Sequence, residues 1–199
     1  MTLALVDIRS GNLASVANAL RAVGEEQVVV TADPNVIAQA ERIVLPGVGA
    51  FGTCAANLRG VDGLEQALGE AARAGTPLLG ICVGMQLMAR SSDEHGEHRG
   101  LGWFDGDVRR LDPAEGAKVP HIGWNDVVPV ADHPLLPRGE AYFLHSYAYA
   151  GADVAARTDH AGPVTAAIAR DNLVGVQFHP EKSQRYGLDL LARFLRWRP

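Results

Sequence analysis

The segment Leu78–Gln86 holds the residues whose types and spacing best fit a catalytic function. It reads LLGICVGMQ, so an apolar run leads into a G-x-C-x-G pattern centred on Cys82. A nucleophile on a sharp strand-to-helix turn needs small neighbours two positions away on either side, which Gly80 and Gly84 provide. The N-terminus of the following helix favours a thiolate. The segment predicts a nucleophilic Cys82, although on its own it also fits a buried structural cysteine.

The segment Val174–Lys182, which reads VGVQFHPEK, supplies a candidate base. Pro180 restricts His179 to an extended conformation, and residues two apart in extended chain point to the same side. Glu181 would therefore lie beside His179 and hold its imidazole in the correct tautomer. A lone His-Pro-Glu also fits a surface turn. Together with the cysteine elbow upstream, it predicts a Cys82–His179–Glu181 triad.

The first half of the chain alternates apolar runs with helical patterns and so predicts the elements that position these residues. The predicted strands are Leu3–Val6, Gln27–Val30, Ile43–Leu45 stopped by Pro46, and Pro77–Ile81. The predicted helices are Leu13–Val23, one N-capped by Asp33 before Pro34, Ala50–Leu58, Leu64–Ala74 and one beginning in Gly84–Ala89. This order implies a parallel sheet covered on both faces. Ligands bind such sheets at the carboxyl ends of the strands, here the loops after Val6, Leu45 and Ile81.

The second half reads mostly as strands and ends in a helix. The predicted strands are Asp107–Leu111, Val127–Val130, Tyr142–Tyr147, Val164–Ile168 and Val174–Gln177. The final helix is predicted to start at an N-cap, Ser183, with Leu188, Leu191 and Leu195 facing the core. The expected fold is a single three-layer α/β domain over residues 1–199. It has a mostly parallel sheet, helices on both faces and additional antiparallel strands in the second half.

Composition limits the classes of function. The chain has 199 residues and a net charge of −5 without a basic stripe, which argues against nucleic-acid binding. We find no signal peptide and no apolar run long enough for a membrane span. Two cysteines are too few for a disulfide scaffold, so a cytoplasmic location is expected, and Cys54 fits a small core residue. The histidines near Glu94 and Glu97 lie in a polar loop without a closed ligand set, so we predict no metal and no cofactor.

The two catalytic segments and the loop Pro46–Gly49 together resemble the class I (triad) glutamine amidotransferases in order and spacing. Within that family the chain is most similar to the glutaminase subunits of imidazole glycerol phosphate synthase, from histidine biosynthesis. The finer resemblance rests on Ser10–Leu13, Pro120–Asn125, Leu144–Tyr147 and Lys182-Ser183. The chain departs from the family pattern at Ile8 and Arg9, in place of Tyr-Gly, and at Ala148, in place of a second tyrosine.

The resemblance implies an activity, a partner and roles for residues. Cys82 would attack the glutamine carboxamide, and the ammonia would pass to a separate (β/α)₈ barrel cyclase in a heterodimer. The implied oxyanion donors are the backbone N–H groups of Gly49 and Val83. The residues implied to hold the amino-acid end of glutamine are Gln86, Ser146 and Tyr147. The interface candidates are Trp124, Asn125 and Lys182, with a core position the main alternative for Trp124.

Other functions fit parts of the same pattern. A glutaminase of this kind could serve another synthase, such as one for pyridoxal phosphate or anthranilate. A cysteine hydrolase or peptidase would share the elbow and the base but grip its substrate differently. A silent binding module is disfavoured, because it would not need three aligned catalytic groups.

Overall fold

The computed structural model describes residues 2–112 and 118–199. Its strands are β1 Leu3–Val6, β2 Val28–Thr31, β3 Arg42–Gly47, β4 Leu78–Cys82, β5 Ser91–Ser92, β6 His98–Arg99, β7 Gly106–Arg110, β8 His121–Pro129, β9 Gly139–His145, β10 Tyr147–Gly151, β11 Val154–Asp159, β12 Pro163–Arg170 and β13 Leu173–Val176. Its α-helices are α1 Leu13–Ala22, α2 Pro34–Ala38, α3 Phe51–Arg59, α4 Leu64–Arg73, α5 Val83–Gln86 and α6 Gln184–Arg196. No helix in the described ranges is long and apolar enough to cross a membrane.

The main sheet has nine strands in the order β2-β1-β3-β4-β13-β12-β11-β8-β9. Its first five strands pair in parallel, and the remaining pairings are antiparallel. A smaller sheet follows the order β10-β7-β5-β6. The α/β fold with antiparallel strands in the second half is therefore confirmed. Since β3, β4 and β13 are adjacent and parallel, their carboxyl ends meet at one edge of the sheet.

Helices cover both faces of the parallel half. The connection from β1 through α1 to β2 runs in one direction along the sheet, whereas the connections through α2, α3 and α4 run in the other. Right-handed crossovers then place α1 on one face and these three helices on the opposite face. The C-terminal α6 packs beside α1, and α2 packs against α4. Strands β3, β4 and β13 are buried along their whole length, as sandwiched parallel strands are.

Local signals predicted the first half well, with one error. Asp33 caps α2 as predicted, since its Oδ1 accepts a hydrogen bond from Asn35 N at 2.9 Å. The prediction that Pro46 stops its strand is wrong, because β3 continues to Gly47 and Pro46 pairs with Ile81. The fixed φ of proline is compatible with extended chain, so the strand loses one N–H donor without ending.

The second half differs more from the predictions. Strand β8 begins at His121, well before the predicted Val127, because it pairs with β9 over its length. The predicted strand Tyr142–Tyr147 is split at Ser146 between β9 and β10, which belong to different sheets. Strand β11 and the short β5 and β6 were not predicted. Short strands lack enough residues for a period to show.

The final helix was placed correctly, and the three leucines predicted to face the core do so, because Leu191 is buried and Leu188 and Leu195 pack against the core. The side chains that α6 buries are Leu190, Leu191 and Phe194, whereas Leu188 and Leu195 are only partly buried. Ser183 is the N-cap residue of α6, as predicted, but its hydroxyl makes no cap hydrogen bond. That hydroxyl instead donates a hydrogen bond to the carbonyl of His179.

Candidate active site

Cys82 lies on a strained turn between β4 and α5, as the sequence predicts. Its φ of 54° and ψ of −114° are unusual for a residue with a side chain. A Cβ at Gly84 would overlap the carbonyl oxygen of Leu45, and one at Gly80 would lie 2.8 Å from Met85 N. Both positions therefore require glycine, and the turn holds the sulfur at the N-terminus of α5.

His179 is anchored through its backbone on both sides. Its N–H donates to Tyr142 O at 3.0 Å, and its carbonyl accepts from Ser183 Oγ at 2.7 Å. Ser183 Oγ in turn accepts from Tyr142 N at 2.9 Å. The hydroxyl predicted to cap α6 thus ties the His179 backbone to strand β9.

The side chains of His179 and Glu181 form a buried pair. His179 Nδ1 lies 2.9 Å from Glu181 Oε1, and the two side chains are 3% and 1% exposed. The pairing agrees with the prediction, and His179 is extended as predicted, with φ −102° and ψ 99°. The extended chain does not continue to Glu181, however, because Pro180–Lys182 forms a 3₁₀ turn. Burial opposes the charged imidazole, but hydrogen bonds to Cys82 and Glu181 and their charges outweigh it and raise the pKa of His179 to about 9. This balance favours a protonated His179 beside Cys82.

A cavity of about 310 Å³ opens onto Cys82 and His179. Its lining consists of Asn12, Val48, Gly49, Cys82, Val83, Gln86, Glu94, Leu144, His145, Ser146, Tyr147, His179 and Lys182. A wider groove of about 930 Å³ runs along α4 and includes Arg59 and Arg170, but it contains no triad residue. We assign the active site to the smaller cavity, because only there do the reactive groups converge. Among the residues that the structure describes, no three His, Cys, Asp or Glu side chains are grouped so as to hold a metal ion.

The two predicted oxyanion donors border this cavity. Val83 is the first residue of α5, where backbone N–H groups have no partner within the helix. Gly49 has a φ of 92°, which favours glycine. The neighbouring amide of Val48 donates to Ser10 O at 3.2 Å and is therefore already engaged. Cys54 is fully buried, as predicted, and its thiol contacts Val48 O at 3.4 Å.

The three predicted substrate residues, Gln86, Ser146 and Tyr147, also line the cavity. Gln86 is buried, and its Nε2 donates to Tyr147 O and to Gln177 Oε1, both at 3.0 Å. Both amide hydrogens of Gln86 are thus used within the protein, whereas its oxygen has no hydrogen bond to the described residues.

Glu94 is a cavity residue that the sequence analysis missed. Its Oε2 accepts a hydrogen bond from Phe51 N at 2.6 Å, beside the loop that carries Gly49. The sequence suggested only a polar loop here, because β5 and β6 are too short to leave a periodic pattern. The antiparallel pairing of these strands carries Glu94 back to the cavity.

A chain of hydrogen bonds behind the cavity was not predicted either. Asn125 Nδ2 donates to Asp159 O and lies 3.1 Å from His121 Nε2, so that ring nitrogen is the acceptor. His121 Nδ1 then donates to His145 Nε2 at 3.0 Å, and His145 Nδ1 donates to Tyr147 O at 2.9 Å. Strand pairing creates this chain, since His121 lies opposite His145 in the β8–β9 register.

Three exposed apolar side chains are grouped on one face of the β8–β9 hairpin, next to the exposed Asp126 and Glu140. Ile122, Trp124 and Leu144 are 57%, 48% and 39% exposed. The alternative that Trp124 is a core residue is therefore wrong. Lys182 is exposed beside the cavity, whereas Asn125 is half-buried and bonded within the chain. Exposed apolar side chains grouped in this way are typical of a protein-binding surface.

Comparison with known proteins agrees with this fold. The family model described as "Glutamine amidotransferase class-I" matches residues 4–196. A solved structure titled as a glutamine amidotransferase superposes with a TM-score of 0.75 at 20% identity, covering 97% of each chain. A structure of PurLQS from Thermotoga maritima gives a TM-score of 0.74 at 20% identity, covering 98% of this chain and 97% of that one. At such identities the two structures support the fold alone.

Curated relatives define a narrower group. The imidazole glycerol phosphate synthase subunit HisH of Zymomonas mobilis is 55% identical, with 100% of this chain and 97% of the relative covered. The HisH subunit of Rhodospirillum rubrum is 50% identical, and the match covers both chains completely. The chain belongs to the class-I glutamine amidotransferase family and, within it, to the HisH family.

Proposed function

We propose that this chain is the glutaminase subunit of an imidazole glycerol phosphate synthase and that Cys82, His179 and Glu181 form its catalytic triad. The observation that carries the proposal is the strained Cys82 turn opening onto the same cavity as the buried His179–Glu181 pair. A structural cysteine would not need a positive φ beside two glycines that cannot be replaced. The full-length HisH relatives support the choice of synthase.

In the first half-reaction, Cys82 and His179 convert glutamine into a thioester. The sulfur attacks the side-chain carboxamide carbon, and His179 holds the thiol proton. The C–N bond then breaks, and His179 gives its proton to the departing ammonia. A positioned acid–base group of this kind contributes roughly 10²–10⁴-fold to the rate. Glu181 orients the imidazole and stabilises its cation without transferring a proton.

The oxyanion of each tetrahedral intermediate is bound by backbone N–H groups of Gly49 and Val83. A preorganised donor at this position is worth about 10²–10³-fold in rate. In the second half-reaction, His179 removes a proton from water, which attacks the thioester and releases glutamate. The cysteine thiol is restored when His179 returns the proton to the leaving sulfur.

The polar groups around the cavity bind the amino-acid end of glutamine. The Oε1 atom of Gln86 accepts a hydrogen bond from the substrate, since both hydrogens on Nε2 are used within the protein. Ser146 and Tyr147 contribute from the turn between β9 and β10. The carboxylate of Glu94 complements the substrate ammonium group, because within the described part of the chain only its Oε2 accepts a hydrogen bond, from Phe51 N.

The exposed face formed by Ile122, Trp124 and Leu144, together with Lys182, binds the cyclase subunit. Leu144 and Lys182 also line the catalytic cavity, so a partner on this face would cover its mouth. A covered route matters because free ammonia is protonated in water and then ceases to be a nucleophile. The cyclase uses the ammonia in making imidazole glycerol phosphate, and the complex works in the cytoplasm.

A direct test combines a glutaminase assay with partner identification. The purified chain is assayed for ammonia release from glutamine, alone and with a HisH-partner cyclase and its acceptor ligand. We expect ammonia release and no hydrolysis of peptides. Peptide hydrolysis without glutamine hydrolysis would overturn the proposal in favour of a peptidase. Stimulation by a pyridoxal phosphate or anthranilate synthase, and not by the cyclase, would overturn the assignment of the partner.

A further inference from the structure

Gln177 is a buried amide that lies beside the nucleophile and has no part in the mechanism proposed for the triad. Its side chain is 0% exposed, and its Nε2 lies 3.7 Å from Cys82 Sγ. Its Oε1 accepts a hydrogen bond from Gln86 Nε2 at 3.0 Å. The backbone N–H of Gln177 donates to Ala166 O at 2.8 Å, which fixes the residue at the end of β13.

The hydrogen-bond network determines which end of the Gln177 amide faces the sulfur. The carbonyl of Tyr147 only accepts hydrogen bonds, and it receives them from His145 Nδ1 and Gln86 Nε2. The nitrogen of Gln86 is thereby fixed toward Tyr147 and Gln177. Gln177 must present its oxygen to that nitrogen, so its own N–H group faces Cys82. The reverse orientation would oppose two NH₂ groups and turn a carbonyl oxygen toward the sulfur.

We propose that Gln177 is a positioning residue that donates a hydrogen bond to the Cys82 sulfur, with Gln86 holding its amide in the required orientation. The proposal rests on Cys82 being the nucleophile. A hydrogen bond from an N–H group to a thiolate is charge-assisted and therefore stronger than one to a neutral thiol. Gln177 thus favours the reactive form of the sulfur, and it does so from a fully buried position.

The hydrogen bonds of Gln177 distinguish the proposed positioning role from a purely structural one. Its oxygen has a hydrogen-bond partner in Gln86, and among the residues that the structure describes the sulfur is the one hydrogen-bond acceptor found for its nitrogen. Asn172, at the other end of β13, provides a contrast: its Nδ2 donates to the carbonyls of Ala72 and Thr76 at 2.9 and 2.8 Å. Asn172 is a buried amide that donates only to backbone carbonyls, whereas the amide of Gln177 directs an N–H group at a reactive sulfur.

The test measures the rate of Cys82 alkylation by iodoacetamide as a function of pH, in the full chain without glutamine. Mass spectrometry of the labelled peptide distinguishes Cys82 from the fully buried Cys54. Gln177→Met keeps a similar volume but removes the donor. We expect the pH midpoint of alkylation to rise by about one unit, since hydrogen bonds to charged groups have about that effect. Asn172→Ser, the matched control, should leave the midpoint unchanged.

A second variant tests the orienting role of Gln86 and covers the case of a poorly folded Gln177→Met chain. Gln86→Met should raise the midpoint in the same direction by a smaller amount. The double variant should not exceed the shift of Gln177→Met, because the two residues act through one hydrogen bond. Unchanged midpoints in both single variants would overturn the proposal. That result would leave the proposed function standing, which instead fails if glutamine hydrolysis survives Cys82→Ala.

Discussion

His121 Nδ1 donates a hydrogen bond to His145 Nε2 across strands β8 and β9, and both imidazoles are buried. The donor–acceptor sequence that starts at Asn125 and ends at Tyr147 requires both rings to be neutral. Burial lowers the pKa of His121 to about 4, helped by the charge of His160. Burial likewise lowers the pKa of His145 to about 3. The hydrogen bond to Tyr147 O raises this pKa, whereas the charges of nearby histidines lower it further.

We expect the protein to lose stability as the pH falls below about 6.5, the ordinary pKa of histidine. The folded pKa values lie below the unfolded one, so the unfolded chain binds more protons. The stability that the two neutral histidines contribute is complete above about pH 6.5 and is lost as the pH falls toward their folded pKa values. Each histidine contributes at most about 1.4 kcal/mol per pH unit in that window. Thermal unfolding of the wild type between pH 7 and 4.5 should show the decline.

The histidine origin of this decline is tested with two variants. His121→Gln removes one of the two titrating rings and should make the decline with pH shallower. The control is His95→Asn, at an exposed position with positive φ that asparagine tolerates. It should keep the wild-type slope. Equal slopes in all three proteins would show that the His121–His145 pair does not govern acid stability.

Cys82→Ala should abolish glutamine hydrolysis, because no other group in the cavity replaces the sulfur as nucleophile. The synthase reaction of the complex should continue when ammonium salt is supplied, since the partner performs that chemistry. Both rates are measured by steady-state kinetics with the cyclase bound. Glutaminase activity within tenfold of the wild type would remove Cys82 from the mechanism.

Gly84→Ala should lower the free energy of unfolding by about 1–3 kcal/mol, as overpacked substitutions do. The new Cβ would overlap the carbonyl oxygen of Leu45, which belongs to a rigid, buried strand. Gly69→Ala is the matched control. It lies inside α4, where the nearest atom is the flexible end of Arg73, and it should gain about 0.5–1 kcal/mol. Urea unfolding of both variants measures the difference, and a Gly84→Ala chain as stable as Gly69→Ala would contradict the packing argument.

The sequence predicted those parts of the site that depend on local chain geometry. The Cys82 turn and the His179–Glu181 pair each come from neighbouring residues, so their spacing was informative. Glu94 and the hydrogen bond from His121 to His145 were not predictable in this way. They depend on strand register and on short strands that carry no periodic pattern. Ser183 shows the same limit, because its cap signal was local whereas its actual partners lie on β9 and at His179.

We expect the bound cyclase to raise the glutaminase rate, because the proposed interface residues Leu144 and Lys182 also line the cavity. The isolated chain should be a poor glutaminase, and the cyclase with its acceptor ligand should raise kcat. Trp124→Ala should weaken cyclase binding, because aromatic side chains at the centre of an interface contribute most of its affinity. Ile122 and Leu144 flank it on the same face. An isolated chain that reaches the full rate of the complex would show that no such activation exists.

In the proposed triad, the contribution of Glu181 to the rate depends on whether the nucleophile is a cysteine or a serine. Its Oε1 orients His179 Nδ1 at 2.9 Å, and its Oε2 is buried without a hydrogen-bond partner among the described residues. Glu181→Gln keeps the shape of the side chain but removes the charge that helps to raise the pKa of His179. An amide at this place also favours the wrong imidazole tautomer, which costs about 10⁴-fold in a serine triad.

We nevertheless expect Glu181→Gln to lose less kcat than His179→Ala or Cys82→Ala, with little change in the KM for glutamine. A thiolate forms more readily than an alkoxide, so a cysteine nucleophile depends less on the third member of the triad. The measurement is steady-state glutaminase kinetics of the three variants with saturating cyclase. Complete inactivation by Glu181→Gln would mean that the carboxylate is as essential as the base. A wild-type kcat would reduce the triad to a Cys82–His179 dyad.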